Sequence, residues 1–235
     1  IKYRWPWYNC TMQDAMHVAI IPDGNRRWAK KNALKPWKGH QKSAENFRQI
    51  IEWCCHHKDI SALTIWCFST ENWKRDPEEV EKLMAMLVDY LKTKRDLFMD
   101  NRIRLVHSGR KDRFSPELTE VFEELIETTA NHTAFTLNLA VDYGGQDELL
   151  RAMNKIEPSN EITDAVIRQN LDQPDVPDID LIIRTSGESR TSNFFLWQST
   201  YSEWMFIEKL FPDFTEADLE KCITNFKSRS RRFGA

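Results

Sequence analysis

An α/β fold is predicted, a single domain with a roughly six-stranded, mostly parallel sheet flanked by helices, and three observations predict it. Short apolar, β-branched runs recur along the chain; amphipathic helical patterns lie between them; and the runs are near-continuously apolar instead of alternating. Strands that read this way are covered on both faces, and strand–helix alternation builds such sheets by parallel crossovers.

The expected strands lie at 17–22, 61–68, 102–107, 133–141, 180–184 and 202–207. Helical spacing puts Ala44, Phe47, Ile51 and Cys54 on one face, and Val80, Leu83, Leu87 and Leu91 on another. The segment 156–179, where Pro158, Pro174 and Pro177 surround polar residues, is expected to be a connection with one short helix near 162–171. Residues 1–16 are expected to form an N-terminal arm and 17–235 a single folded domain. The arm carries Tyr3, Trp5, Trp7 and Tyr8 and reads as a packed or frayed tail, with a membrane-facing arm as the alternative.

Bulk properties narrow the function. With 33 Lys plus Arg against 36 Asp plus Glu, the net charge of −3 gives no whole-protein attraction to nucleic acid or to an anionic membrane. No nucleic-acid partner is expected, and at most peripheral membrane contact. Five cysteines without C-x-x-C spacing suggest a reducing, cytoplasmic setting instead of a disulfide framework. No apolar run approaches the roughly 20 residues that cross a bilayer.

In an open parallel sheet, ligands sit beyond the carboxyl ends of the strands. Three polar clusters follow expected strands. Asp23, Gly24, Asn25, Arg26, Arg27 and Trp28 follow the first. A permissive glycine, a helix start and guanidinium forks suit a diphosphate, and Asp23 fits beside them if Mg²⁺ bridges carboxylate and phosphate. The same segment also reads as a capped helix with solvated arginines. Arg184 to Asn193 supplies a second anion site of arginines and hydroxyls, the alternative being a polar surface turn. Ser69, Thr70, Glu71, Asn72, Trp73, Lys74 and Arg75 form the third cluster, which equally reads as a helix cap.

Together these segments resemble the cis-prenyltransferases, the family of the undecaprenyl diphosphate synthases. The likeness spans nearly all of 17–234. It rests on Asp23-Gly24-Asn25-x-Arg27-Trp28, Gly39-His40, Phe68-Ser69-Thr70-Glu71-Asn72-Trp73-x-Arg75, Tyr143-Gly144-Gly145, Arg184-Thr185-x-Gly187-Glu188-x-Arg190-x-Ser192-Asn193-Phe194, Trp197-Gln198 and Glu203.

The resemblance implies condensation of isopentenyl diphosphate with an allylic prenyl diphosphate, each new double bond being cis. It also implies a hydrophobic tunnel, Mg²⁺ as cofactor and a homodimer. Asp23 would hold the metal and assist departure of the primer's diphosphate, with Arg27 and His40 near that group. Gly24, Asn25, Arg26 and Trp28 belong to the same binding loop. Arg184, Arg190 and Ser192 would bind isopentenyl diphosphate, and Glu203 is tied to its metal. Ser69 and Asn72 would help to remove the proton, and Glu71, Trp73 and Arg75 lie in a segment that closes over substrate. Arg232 and Gly234 match a terminal motif that reaches into the partner subunit's site.

Ala44, Phe47, Ile51 and Cys54, with Cys67, Leu87 and Phe135, are candidates for the tunnel wall, against plain core packing. Positions 47, 51, 67 and 135 carry bulkier side chains than the undecaprenyl enzymes are expected to have, which points to a short or medium product. Membrane association would come through that lipid product.

Pro36 stands where an arginine is usual, with Lys35 and Lys38 as substitutes nearby. Arg26 replaces a common bacterial glycine; Arg110 and Asp142 also depart from the pattern. Cys54, Cys55, His56 and His57 are not a zinc site, because successive helical residues point about 100° apart. His17, His107 and His132 read as structural. The competing reading is a non-catalytic subunit that binds a prenyl diphosphate. Such a subunit should lose Asp23 or the arginines, which are present.

Overall fold

The computed structural model describes residues 15–158 and 161–229. Six strands form one sheet in the order β3-β4-β2-β1-β5-β6, and every pairing in it is parallel. They are β1 (Met16–Ile21), β2 (Ile60–Ser69), β3 (Ile103–Ser108), β4 (Phe135–Tyr143), β5 (Leu181–Arg184) and β6 (Glu203–Phe206). Each lies within two residues of the expected run. β1 stops before Pro22 because proline has no N–H for the ladder.

Helices α1 (Asn25–Lys31) and α2 (Pro36–His56) follow β1; α3 (Pro77–Thr93) and α4 (Arg95–Asp100) follow β2. Then come α5 (Pro116–Thr129), α6 (Gly145–Lys155), α7 (Asp164–Asn170) and α8 (Glu216–Ser228). The short helix expected near 162–171 is α7. Proline occupies the first turn of α2, α3 and α5, where its missing N–H costs nothing. At α2 that proline is Pro36, one of the departures.

The two faces of β1 enter separate cores, as a period of two requires. Val18 and Ile20 join the main core with Ile50, Leu91, Phe122, Leu125 and Leu219, under α2, α3, α5 and α8. Ala19 and Ile21 face Tyr143, Ile182, Phe194 and Phe195. The flanking layers are therefore unequal: the second face is covered largely by the aromatic segment after β5, with α6 and α7 packing beside it through Ala152, Ile167 and Leu171.

A buried polar line crosses four strands on that second face. His17 pairs with the Pro177 carbonyl at 2.8 Å and with Thr64 Oγ1 at 2.7 Å; Asn138 donates to Thr64 at 3.2 Å; Ser108 donates to Asn138 at 3.0 Å. Every member finds a partner, which is what buried polar groups require. His17 is thus structural. So are His107, on the Val141 carbonyl at 3.0 Å, and His132, on the Ile103 carbonyl at 3.1 Å.

Candidate active site

The carboxyl ends of β1, β2 and β5 converge, and the register dictates how. Ile21 pairs with Arg184, so the loops that leave β1 and β5 start side by side. The first loop turns at Gly24, whose φ of +103° suits a residue without Cβ. Asp23 Oδ1 accepts the Gly24 N–H at 2.7 Å, and Oδ2 accepts Arg184 Nη2 at 2.9 Å. Thr185 Oγ1 donates to the Asp23 carbonyl at 2.7 Å. Arg27 reaches across to Ser186, with 3.0 Å to its carbonyl and 2.6 Å to its hydroxyl, and stands 3.1 Å from Glu188. The two expected anion sites are therefore one continuous polar wall.

Arg184 organises that wall. Nearly buried, it also donates to the Arg190 carbonyl at 2.5 Å and to Ser192 Oγ at 2.8 Å. Its Nε is buried without a hydrogen-bond partner, as is Nε2 of His40. Both residues line the same cavity, and orphan polar atoms on a cavity wall are a sign of a polar ligand.

The third cluster closes the side. Ser69 and Asn72 form a reciprocal cap at the start of a 3₁₀ turn, Thr70–Lys74, with the Ser69 N–H on Asn72 Oδ1 at 3.1 Å. Asn193 donates to Glu71 at 3.2 Å, joining the second and third clusters. Glu79, buried at the start of α3, lies 3.5 Å from Arg75 and 3.9 Å from Arg26. Burial and then the positive charges of Arg75 and Arg26 pull the His40 imidazole down to about 4, so it is neutral at pH 7.

The cavity encloses about 810 Å³, within the range of small-molecule sites. Its polar part is lined by Asp23, Gly24, Asn25, Arg26, Arg27, His40, Ser69, Glu71, Asn72, Arg75, Arg184, Arg190 and Ser192. Its apolar part runs between α2 and α3 over β2, along Ala44, Phe47, Ile51, Cys67, Leu83, Met84, Leu87 and Tyr90. Two expected wall residues are absent from it: Cys54 and Phe135 are core, 0% and 1% exposed. Cys54 lies one turn too far along α2, and Phe135 begins β4 at the opposite end of the strand.

Other expectations need correction. Trp28 leaves the site: its Nε1 donates to Asp213 at 2.8 Å, because it sits on the outer side of α1. Trp73 is behind the wall, edge-on to Phe68 at 5.2 Å. Asn25 lines the cavity, yet its side chain is committed to the Pro22 carbonyl at 2.9 Å and to Ser43.

Glu203 stands at the amino end of β6, paired with Leu181 and bonded to Arg229 at 3.0 Å. Leu181 is three residues, roughly 10 Å of strand, before Arg184. Within one chain Glu203 and Asp23 therefore do not share an ion. Lys35 and Lys38 do not replace a diphosphate contact at Pro36: the first lies over Trp37 at 4.9 Å and the second donates to Gln41. Arg110 pairs with Asp112 and Asp147. Arg232, Gly234 and the aromatic arm at 1–14 lie outside the described residues.

No group of three or more metal-ligating side chains occurs among the described residues, the Cys54–His57 run included. The wall nevertheless fits magnesium, which commonly takes one or two carboxylates and fills its sphere with phosphate oxygens and water. Asp23 is the carboxylate suited to it. Three features were missed in the sequence: Glu79 and Glu188 as counter-ions, and the Met84, Met86 and Tyr90 row of α3 on the cavity. The unbroken apolar stretch 83–88 was the available signal, since a helix apolar all round is covered on more than one side.

Comparisons with known proteins bear on this geometry. The family described as "Putative undecaprenyl diphosphate synthase" matches residues 21–234. An isoprenyl transferase of Wolinella succinogenes is 43% identical over 224 residues, covering 95% of this chain and 98% of that protein. One from Thermotoga maritima is 45% identical over 229 residues, with the same coverages of 95% and 98%. The crystal structure of lavandulyl diphosphate synthase from Lavandula x intermedia, in complex with dimethylallyl diphosphate, superposes with a TM-score of 0.90 at 35% identity. That match covers 94% of this chain and 99% of the other.

Proposed function

The chain belongs to the undecaprenyl diphosphate synthase family of prenyltransferases, and from that premise we propose that it condenses isopentenyl diphosphate with an allylic prenyl diphosphate to give a Z-configured product of short to medium length. The observation that carries this reading is the cavity itself. A wall of guanidiniums around one carboxylate opens into an apolar passage, as a substrate with a diphosphate head and a hydrocarbon tail requires.

In this mechanism the allylic C–O bond breaks, the carbocation is attacked by the double bond of isopentenyl diphosphate, and a proton leaves the new chain. Magnesium, when bound, would neutralise charge that builds on the departing diphosphate. Arg27 and neutral His40 bind that diphosphate, while Asp23 is oriented by Arg184 and the Gly24 N–H. Arg184, Arg190 and Ser192 hold the second diphosphate beside the first, so the reacting carbons meet at the mouth of the apolar passage. Ser69 and Asn72 are hydrogen-bonded to each other but neither is basic. They pass the proton on, and a diphosphate oxygen is the base that keeps it.

The passage excludes water from the cation, and Phe47, Ile51 and Cys67 narrow it, favouring a short or medium chain. We further propose an active homodimer. No helix among the described residues is long and apolar enough to cross a membrane. The test is incubation with Mg²⁺, labelled isopentenyl diphosphate and primers of several lengths, with products resolved by chain length and double-bond geometry. Labelled Z-products are expected; no incorporation with any primer would refute the reading.

A further inference from the structure

β4 ends behind the cavity on a buried carboxylate. The Asp142 side chain is 0% exposed, and its backbone has a φ of +53°, a region that Asp and Asn tolerate better than other residues with a Cβ. Arg113, from the loop between β3 and α5, meets it with a two-pronged contact: Nε donates to Oδ2 at 2.8 Å and Nη2 to Oδ1. The other side of that guanidinium faces an aromatic ring. Arg113 Cζ lies 5.3 Å from the centroid of Trp73, whose indole N–H is turned towards Asp142 without completing a hydrogen bond.

Trp73 belongs to the 3₁₀ turn that also carries Glu71 and Asn72 and leads to Arg75, and those three side chains line the cavity. A five-residue 3₁₀ turn has poor internal hydrogen bonding and takes its position from outside contacts. Its contacts include Phe68 and the main core through Trp73, and this arginine, which meets the Trp73 ring. Arginine suits the place because one planar group can fork onto a carboxylate and stack on a ring together, which lysine cannot do.

We propose that Arg113 is a positioning residue for prenyl transfer: anchored on Asp142, its guanidinium plane seats Trp73 and so holds the 70–74 turn with Glu71 and Asn72 on the cavity wall. The proposal rests on the reading of the cavity as the reaction site. A merely structural pair would close the ends of β3 and β4 and leave the chemistry to follow stability.

Two variants separate these roles. Arg113→Gln leaves Asp142 buried and unpaired, and removes the plane over Trp73. Arg113→Gln with Asp142→Asn removes both charges and keeps a residue that tolerates the backbone of position 142. We expect kcat to fall about tenfold to a hundredfold in both, with KM for either substrate changed much less. The double variant should regain melting temperature lost by the single one while kcat stays low. Amide hydrogens of 70–75 should exchange about tenfold faster in both variants.

Wild-type kcat in the single variant, or recovery of kcat together with melting temperature in the double variant, would overturn the proposal. Should the single variant fail to fold, the double variant decides alone. Hydrogen exchange needs no turnover. Unchanged exchange at 70–75 in both variants therefore sinks the positioning role even where no form of the protein makes product, an outcome that separately removes the functional reading.

Discussion

Acidification from pH 7 to pH 5 should cost the protein folding stability, and His107 sets the scale. Its ring is 4% exposed, packs 5.3 Å from Phe114 and 5.1 Å from Phe122, and has Nε2 on the Val141 carbonyl. Burial, partly offset by that carbonyl, pulls its pKa from 6.5 down to about 4. The unfolded chain therefore takes up a proton near pH 6.5 that the folded chain refuses until about pH 4. This stability is whole above pH 6.5, declines between 6.5 and 4, and levels off below. Linkage gives a slope of about 1 kcal/mol per pH unit inside that window, and a loss of about 2 kcal/mol at pH 5. His40, also pulled to about 4, contributes in the same direction. The assay is urea unfolding at several pH values in the wild type and in His107→Gln, which keeps a donor for the Val141 carbonyl but does not titrate. The variant should be less stable at pH 7 and its pH slope flatter by about 1 kcal/mol per unit. Equal slopes would refute the reasoning, because they would mean that His107 titrates alike in both states.

Four further outcomes are expected. Asp23→Asn, whose single amide oxygen can keep the bond from the Gly24 N–H but gives up the acceptor for Arg184, should keep its melting temperature within a few degrees while turnover with labelled isopentenyl diphosphate falls by about a hundredfold or more; unchanged turnover would remove Asp23 from its role. At the α1–α2 crossing, a Cβ on Gly39 would overlap the Asn25 carbonyl oxygen, so Gly39→Ala should cost about 1–3 kcal/mol in urea unfolding. Phe47→Ala widens the apolar passage and should lengthen the product by about one five-carbon unit or more, read by chromatography; an unchanged product would exclude Phe47 as a constriction. Trp28→Phe gives up only an exposed bond to Asp213, so kcat/KM should stay within about twofold and stability within about 1 kcal/mol.

Much of this site could be read from the chain because parallel topology does the assembling. Once 17–22, 61–68 and 180–184 are strands of one open sheet, the polar residues just after each must meet at its carboxyl edge, and Asp23, Asn72 and Arg184 do so. What residue type and local period leave undetermined is where a side chain stands relative to the strand ends. Glu203 is an acid at a promising place along the chain, but only the β5–β6 register reveals that it lies at the amino end of its strand. Trp28 follows the Asp23 loop directly, yet its direction depends on how the seven-residue α1 is rotated against α2 and the 211–213 turn.

The departures at 110 and 142 make the reverse case, where an apparent anomaly has a local cause. Asp142 needs both a left-handed backbone and a buried hydrogen-bonding side chain. Asparagine meets those demands without charge; aspartate meets them when a guanidinium is fixed beside it, and Arg113 is that group. Arg110 is separately neutralised by Asp112 and Asp147, so its charge stays outside the Asp142 pocket. Replacing Asp142 by the neutral amide should therefore be tolerated here only as far as Arg113 finds other acceptors. The carboxylate at 142 and the arginine at 113 are best understood as one choice made at two positions.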